Sequence, residues 1–479
     1  MHATSVRRGA RMRRGGPGQA GFTLIELTVA LLAGLIVALG IVGLSHEATQ
    51  TFNEESRTAA AEAAMRTAVD RLRADIARAG YMSTGDILSD PAIAHAPTSN
   101  NLQNLLNANF TGIKQLGALY LMDGGSVTAN TLALSALQSP AVSPDALMIG
   151  GNMTCAEQFD VQMILPPVGS CQEILLSPVS PAIYRVVTTG LTSPTAGQQL
   201  NNVFAPVSGN GATAQFMVRL LDDTGHTQYL ATCPQANVAG VTAGQPYLWI
   251  DSADTQILTA SQTQGRGGIS GFAAGKAWVN PVQLVRWEIT STAKEATAQP
   301  QLATALGNVV QSGQVDPYKY DLVRSYVDAK SGQAIAATTE VVAEYAVDLD
   351  FAFTVDKTLV GATSPSITSF AFEDSTSASW APDLSKIASY TATPPVNMGP
   401  QRIRSVRLRV VTRTALPDRT VNVAVPNQYG SEEYMYRYCV PLPGQAAPSC
   451  ATNDGSLKWA RTRTVTAEVS LPNNSGAFY

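Results

Sequence analysis

Between Phe22 and Leu44 the chain runs for 23 residues with a single ionisable side chain, Glu26, one turn in from the start. At ~1.5 Å per residue a helix over this stretch spans roughly 35 Å, enough for a hydrocarbon core of about 30 Å, so one membrane span is predicted. A carboxylate inside a bilayer is expensive, which marks Glu26 as a functional residue in need of a partner. Ahead of the span lie Arg7, Arg8, Arg11, Arg13 and Arg14 with no acid among them. By the positive-inside rule they hold the N-terminus in the cytoplasm, and everything beyond about Leu44 is exported. Gly34, Gly40 and Gly43 interrupt the span, either as close-packing surfaces or as the ordinary glycine usage of membrane helices.

The helix does not stop at the membrane. From Ser45 to Ala79 there is neither Gly nor Pro, and Met65, Val69, Leu72 and Ile76 recur at spacings of 4, 3 and 4, an apolar stripe on which a body docks. Gly80 stands at the expected C-cap with Arg78 in the last turn, so the predicted helix covers Phe22–Ala79, roughly 87 Å of rise.

Residues 82–275 read as a β-rich insertion of short strands and loops, with apolar runs at Ala146–Ile149, Gln162–Leu165, Ala182–Val187, Gln215–Leu221 and Tyr247–Ile250, and one helix near Asn101–Asn107. From about Pro281 the strand pattern strengthens: Val282–Ile289, Tyr345–Phe353, Ile403–Arg413 with near-strict alternation, and Arg461–Leu471. The expected class is α+β, a long N-terminal helix packed on an antiparallel sheet. Its expected parts are a leader over 1–21, a span over 22–44, a continuation over 45–80, an insertion over 81–275 and a sheet head over 276–479.

With 45% apolar and 14% charged residues the chain can bury a core and is not a disordered one. Without the five leader arginines, 27 basic residues face 36 acidic ones, a formal −9, which disfavours nucleic acid as a partner. Arg404, Arg407, Arg409 and Arg413 cluster on one strand without interleaved aromatics, so pairing with nearby acids is expected of them. The spacing of the cysteines favours two loops, Cys155–Cys171 and Cys439–Cys450, with Cys233 either free or displacing one of the assumed partners. His46-Glu47 opens no H-E-x-x-H because position 50 is Gln, and neither a nucleophile elbow nor a phosphate loop occurs. His95 and His226 stand alone, and Asp222–Gly225 and Asn453–Gly455 read as turns. No metal, no cofactor and no enzymatic activity is expected.

Gly21 followed by Phe22-Thr23-Leu24-Ile25-Glu26-Leu27 resembles the class III signal peptides of type IV pilins and type II secretion pseudopilins. That resemblance implies cleavage after Gly21 by a prepilin peptidase, N-methylation of Phe22, and pairing of Glu26 with the N-terminal amine of a neighbouring subunit. Either Met1 or Met12 can start such a leader. Leu72-Arg73-Ala74-Asp75-Ile76-Ala77-Arg78-Ala79-Gly80-Tyr81 is similar to the helix ending of PilW-type minor pilins, departing from it at Ala77, where Arg is usual. The order of strands near the C-terminus, including Leu284-Val285-Arg286, is similar too. The resemblance implies a filament-assembly role at a pilus tip. The implied partners are other minor pilins, the major pilin, the inner-membrane assembly platform and a tip adhesin. Its nearest rivals are a J-type pseudopilin of type II secretion and a pilus-borne adhesin or DNA-uptake module.

Overall fold

The computed structural model describes residues 23–87, 90, 92–93, 111–122, 144–206, 214–252, 257, 277–291, 319–358, 363–372, 399–414, 435–439 and 457–474. The chain divides into two units, residues 1–59 and 60–479. In the first, the described residues are Thr23 and the start of helix α1 (Leu24–Ala77), within which Leu24–Thr49 is long and apolar enough to cross a membrane.

The second unit contains the end of α1, α2 (Thr111–Lys114), β1 (Leu119–Met122), β2 (Ala146–Gly151), β3 (Phe159–Ile164), β4 (Cys171–Leu176), α3 (Pro181–Val186) and α4 (Ala196–Phe204). Then come β5 (Met217–Asp222), β6 (Thr227–Ala231), β7 (Ala239–Thr242), β8 (Gln245–Asp251), β9 (Ala277–Ser291), β10 (Tyr320–Tyr326) and β11 (Glu340–Glu344). The last strands are β12 (Ala346–Asp356), β13 (Ile367–Ser369), β14 (Ile403–Arg413), β15 (Met435–Cys439) and β16 (Leu457–Ser470). Every ladder among them is antiparallel, so the α+β class holds.

These strands form an 11-stranded sheet of β1–β11 and a 5-stranded sheet in the order β13-β12-β14-β16-β15. The boundary expected at residue 275 does not separate two sheets. The 15-residue strand β9 begins at Ala277 and serves both halves of the larger sheet. Its first half pairs with β3 and β5 (Ala277–Val282), and its second half with β2 and β10 (Gln283–Ser291). Pro281, which has no N–H to give, falls between the end of the β3 ladder at Val279 and the start of the β2 ladder at Gln283.

Two main cores follow. In one, Met65, Val69, Leu72 and Ile76 of α1 pack with Leu147, Trp287 and Leu322 of the larger sheet and with Phe351, Phe353, Leu408 and Val410 of the smaller. In the other, α3 and α4 cover the inner face of β3, β4 and β8 through Ile183, Leu200 and Phe204. The apolar run Ala182–Val187 is therefore helical where a strand was expected. Pro181, at the first helical position, is preorganised for that start, and Ala182, Ile183 and, just past the helix, Val187 turn fully inward. The helix expected near Asn101–Asn107 lies outside the described residues.

The two sheets meet at Tyr345, which joins β11 to β12 with φ of +56°. Its ring lies under Lys319, just before β10, and Arg413 of β14, at 5.2 and 4.9 Å, and its N–H donates to Asp321. Cations over the ring and a charged acceptor on the amide compensate a backbone conformation unfavourable for a non-glycine residue.

Candidate functional site

The start of α1 is a reciprocal cap. Thr23 donates its backbone N–H to Glu26 Oε2 at 3.0 Å and its hydroxyl to the same oxygen at 2.9 Å. The Glu26 N–H donates back to Thr23 Oγ1 at 3.3 Å. This is the Thr-x-x-Glu capping box, which satisfies donors that a helix start otherwise leaves without partners. In an apolar medium it also gives the carboxylate of Glu26 local hydrogen bonds before any neighbouring subunit is present. Thr28, one turn on, turns its hydroxyl to the Ile25 carbonyl at 2.9 Å. Among the described residues, nothing beyond the helix's own nearby backbone lies within 4 Å of a Cβ built on Gly34, Gly40 or Gly43. Gly21 and Phe22 lie outside the described residues.

A family model described as the prokaryotic N-terminal methylation motif matches residues 17–42. The N-terminus carries a pilin-type methylation signal. Together with the apolar helix that follows, this signal anchors the chain in a membrane through its N-terminus. Beyond the matched segment, no curated protein and no solved structure matches the chain.

Within the second unit, the helix behind the pilin-type signal is held by more than its stripe. Met65, Val69, Leu72 and Ile76 are all buried. Beside them Asp75 is buried too, and its Oδ2 accepts from Arg324 Nε at 2.7 Å and from Trp287 Nε1 at 3.0 Å. A buried carboxylate is tolerable only when paired and hydrogen-bonded, and here both conditions are met. Arg71 reaches Glu340 on β11 at 2.9 Å across the surface. The sequence reading missed this anchor, although an acid three residues after Leu72 and one before Ile76 sits on the apolar face. Leu-Val-Arg also occurs twice, at 284–286 and 322–324. The second copy supplies the buried arginine, while Arg286 pairs with Glu288 at 2.7 Å.

The helix ends at Ala77, two residues before the predicted end, and Gly80 takes φ of +71° as the left-handed residue after it. Asn473, beyond the last strand, donates its Nδ2 to the carbonyls of Ala77 and Ala79 at 3.2 and 3.1 Å. Arg78 donates to the Met153 carbonyl at 2.9 Å. Gly151 lets the backbones approach: a Cβ there would stand 2.5 Å from the Arg78 carbonyl.

Arg404 and Arg409 of β14 pair with acids, as expected, whereas Arg407 meets a backbone carbonyl. Arg404 pairs with Asp356 at 3.1 Å, Arg409 with Asp350 at 2.5 Å, and Arg407 donates to the Phe370 carbonyl. Asp222 Oδ1 accepts from Thr224 and from the His226 N–H, the hydrogen bonding of a turn.

The expected Cys155–Cys171 loop is corrected: Cys233 displaces Cys155, the alternative left open for it. Cys171 is bonded to Cys233, 62 positions away, and Cys155 carries a free thiol. Cys171 begins β4 opposite Asp251 of β8, and the Cys233 N–H donates to the Trp249 carbonyl, so both cysteines flank the same strand. Cys155 sits instead in the turn before β3, its N–H on Asn152 Oδ1. Burial pushes its thiol pKa up. Cys439 closes β15, and Cys450 lies outside the described residues.

Proposed function

We propose that the protein is a minor pilin of the PilW type, which primes or caps a type IV pilus as part of its tip complex, and that it works by assembly and not by catalysis. The reading rests on one conjunction: a capping-boxed Glu26 inside the methylation motif of residues 17–42, at the head of a helix whose far end is locked to a body by Asp75. In this reading a prepilin peptidase cuts after Gly21 and Phe22 is methylated. Glu26 then exchanges its bond to Thr23 for the amine of a neighbouring subunit. Contacts of that head-to-tail kind do not close, so they extend a filament. The partners are other minor pilins, the major pilin, the inner-membrane platform and a tip adhesin. The body faces the periplasm until it is raised to the cell surface.

The deciding measurement is the intact mass of the mature chain, expected to begin at N-methyl-Phe22. A chain retaining residues 1–21 in a peptidase-competent cell would sink the proposal. Gly21→Val is expected to block processing, and Glu26→Ala to leave membrane insertion intact while reducing incorporation. Deletion of the gene is expected to remove surface pili. Loss of protein secretion with pili intact would assign the chain to a secretion pseudopilus instead.

A further inference from the structure

The strands β3, β4, β8 and β7 present an outer face opposite the one that α3 and α4 cover. On β8, Leu248 and Ile250 point into the core while Tyr247 and Trp249 alternate outward and are half-buried. Strand register lines up their neighbours. Tyr247 stands opposite Leu175 on one side and Gly240 on the other, Leu175 stands opposite Met163, and Trp249 stands opposite Glu173. The two rings meet edge to face, with centroids 6.5 Å apart at 72°. Gly240 has no side chain to crowd the tyrosine: a Cβ there would stand 2.5 Å from the Tyr247 hydroxyl. Met163, at the end of the row, is 52% exposed.

Glu173 is the one charged side chain in these two cross-strand rows, and it has no ion pair or side-chain hydrogen bond among the described residues. An uncompensated carboxylate directly across from an indole, beside a second ring at a steep angle, is complementary to a cation. Directly opposite residues of an antiparallel pair hold their Cβ atoms about 4.5–5.5 Å apart, so the carboxylate and the ring face can touch the same ligand. Among cations, the one best suited to aromatic faces is weakly hydrated and bulky, since it gives up little solvation when it leaves water for the rings. Lysine ammonium is strongly hydrated, and guanidinium is served better by a bidentate carboxylate than by edge-to-face rings.

We propose that this face binds a quaternary ammonium group of the choline type, with Trp249 and Tyr247 against the methyl groups and Glu173 as the counter-ion. Such a site would give the exported body a ligand of its own, beyond its part in assembly.

The test is titration of the full chain, in phosphatidylglycerol nanodiscs free of choline lipid, with choline chloride, followed by calorimetry and tryptophan fluorescence. Saturable binding is expected, weakened about tenfold for dimethylbutanol, the neutral isostere of choline, as loss of ~1.4 kcal/mol implies. Glu173→Gln should cause a similar loss while the far-ultraviolet dichroism and melting of the chain stay unchanged, and Trp249→Leu should abolish binding. Absence of saturable binding at tens of millimolar choline would overturn the proposal. So would equal affinity for the isostere, an unaffected Glu173→Gln variant, or tighter binding of methylguanidinium or a methyl glucoside than of choline.

Discussion

Asp75 and Arg324 lie 249 positions apart in the chain and meet at 2.7 Å, with the indole N–H of Trp287 on the same carboxylate oxygen. The contact ties the end of α1 to β9 and β10 by a charge that cannot be left alone in the core. Asp75→Ala should therefore lower unfolding free energy by about 3–5 kcal/mol, because it strands the guanidinium. Replacing both charges, as Asp75→Leu with Arg324→Met, should cost less than the two single changes together. Denaturant unfolding of the four variants of that cycle measures the coupling, and strict additivity would show the pair to be independent.

The cap supplied by Asn473 gives a second expectation. Removing its amide as Asn473→Ala leaves the Ala77 and Ala79 carbonyls without this donor and should cost about 1 kcal/mol. Gly80→Ala should cost about 1–2 kcal/mol, since alanine is unfavourable at φ of +71°. A shift in the denaturant midpoint with unchanged slope is the readout, and a Gly80→Ala protein as stable as the parent would refute the left-handed cap.

For the cysteines, peptide mapping without reductant should recover a Cys171–Cys233 linkage and an alkylatable Cys155. Closing a loop of 62 positions is worth about 4 kcal/mol in the chain-entropy picture, so Cys233→Ser should be strongly destabilising and Cys155→Ser nearly neutral. Recovery of a Cys155–Cys171 peptide would reverse the assignment.

Acid sensitivity should trace in part to Asp356. Burial alone would raise its carboxyl pKa, but hydrogen bonds from Thr358 and Arg404 outweigh burial and hold it below the ordinary aspartate value. A depressed folded-state pKa means that the stabilisation is complete above the unfolded value of about 3.9 and is lost as pH falls through the folded one. Asp356→Asn should therefore be least stable relative to the parent near neutrality, with the gap narrowing below about pH 4. Melting temperatures across that range would show it, and a constant gap would argue against the linkage.

Regular local pattern made part of this protein legible. The stripe Met65, Val69, Leu72 and Ile76 is readable because helical spacing alone puts the four side chains on one face. The strand Ile403–Arg413 is readable because its alternation is nearly unbroken, and its bounds coincide with β14. Ala182–Val187 misled because a six-residue apolar run fits a buried strand and a short helix equally well, and Pro181 tips it to the helix. Asp75 and Arg324, like Cys171 and Cys233, find each other only through the sheet, and nothing in their spacing announces it. Tyr247 and Trp249 were visible as strand residues, but which face they share with Glu173 depends on a register that the sequence does not encode locally.

The way β9 serves both halves of the larger sheet bears on how the protein comes into being. Among the described residues, β2 gains its second neighbour only when Gln283–Trp287 follow, and one edge each of β3 and β5 stays open until Ala277–Val282. Non-local pairing of this kind slows folding and leaves strand edges open in the interval. During synthesis these strand edges stay adhesive toward one another and toward neighbouring chains until β9 arrives. A truncation ending before Ala277 should therefore aggregate and not yield a smaller folded body.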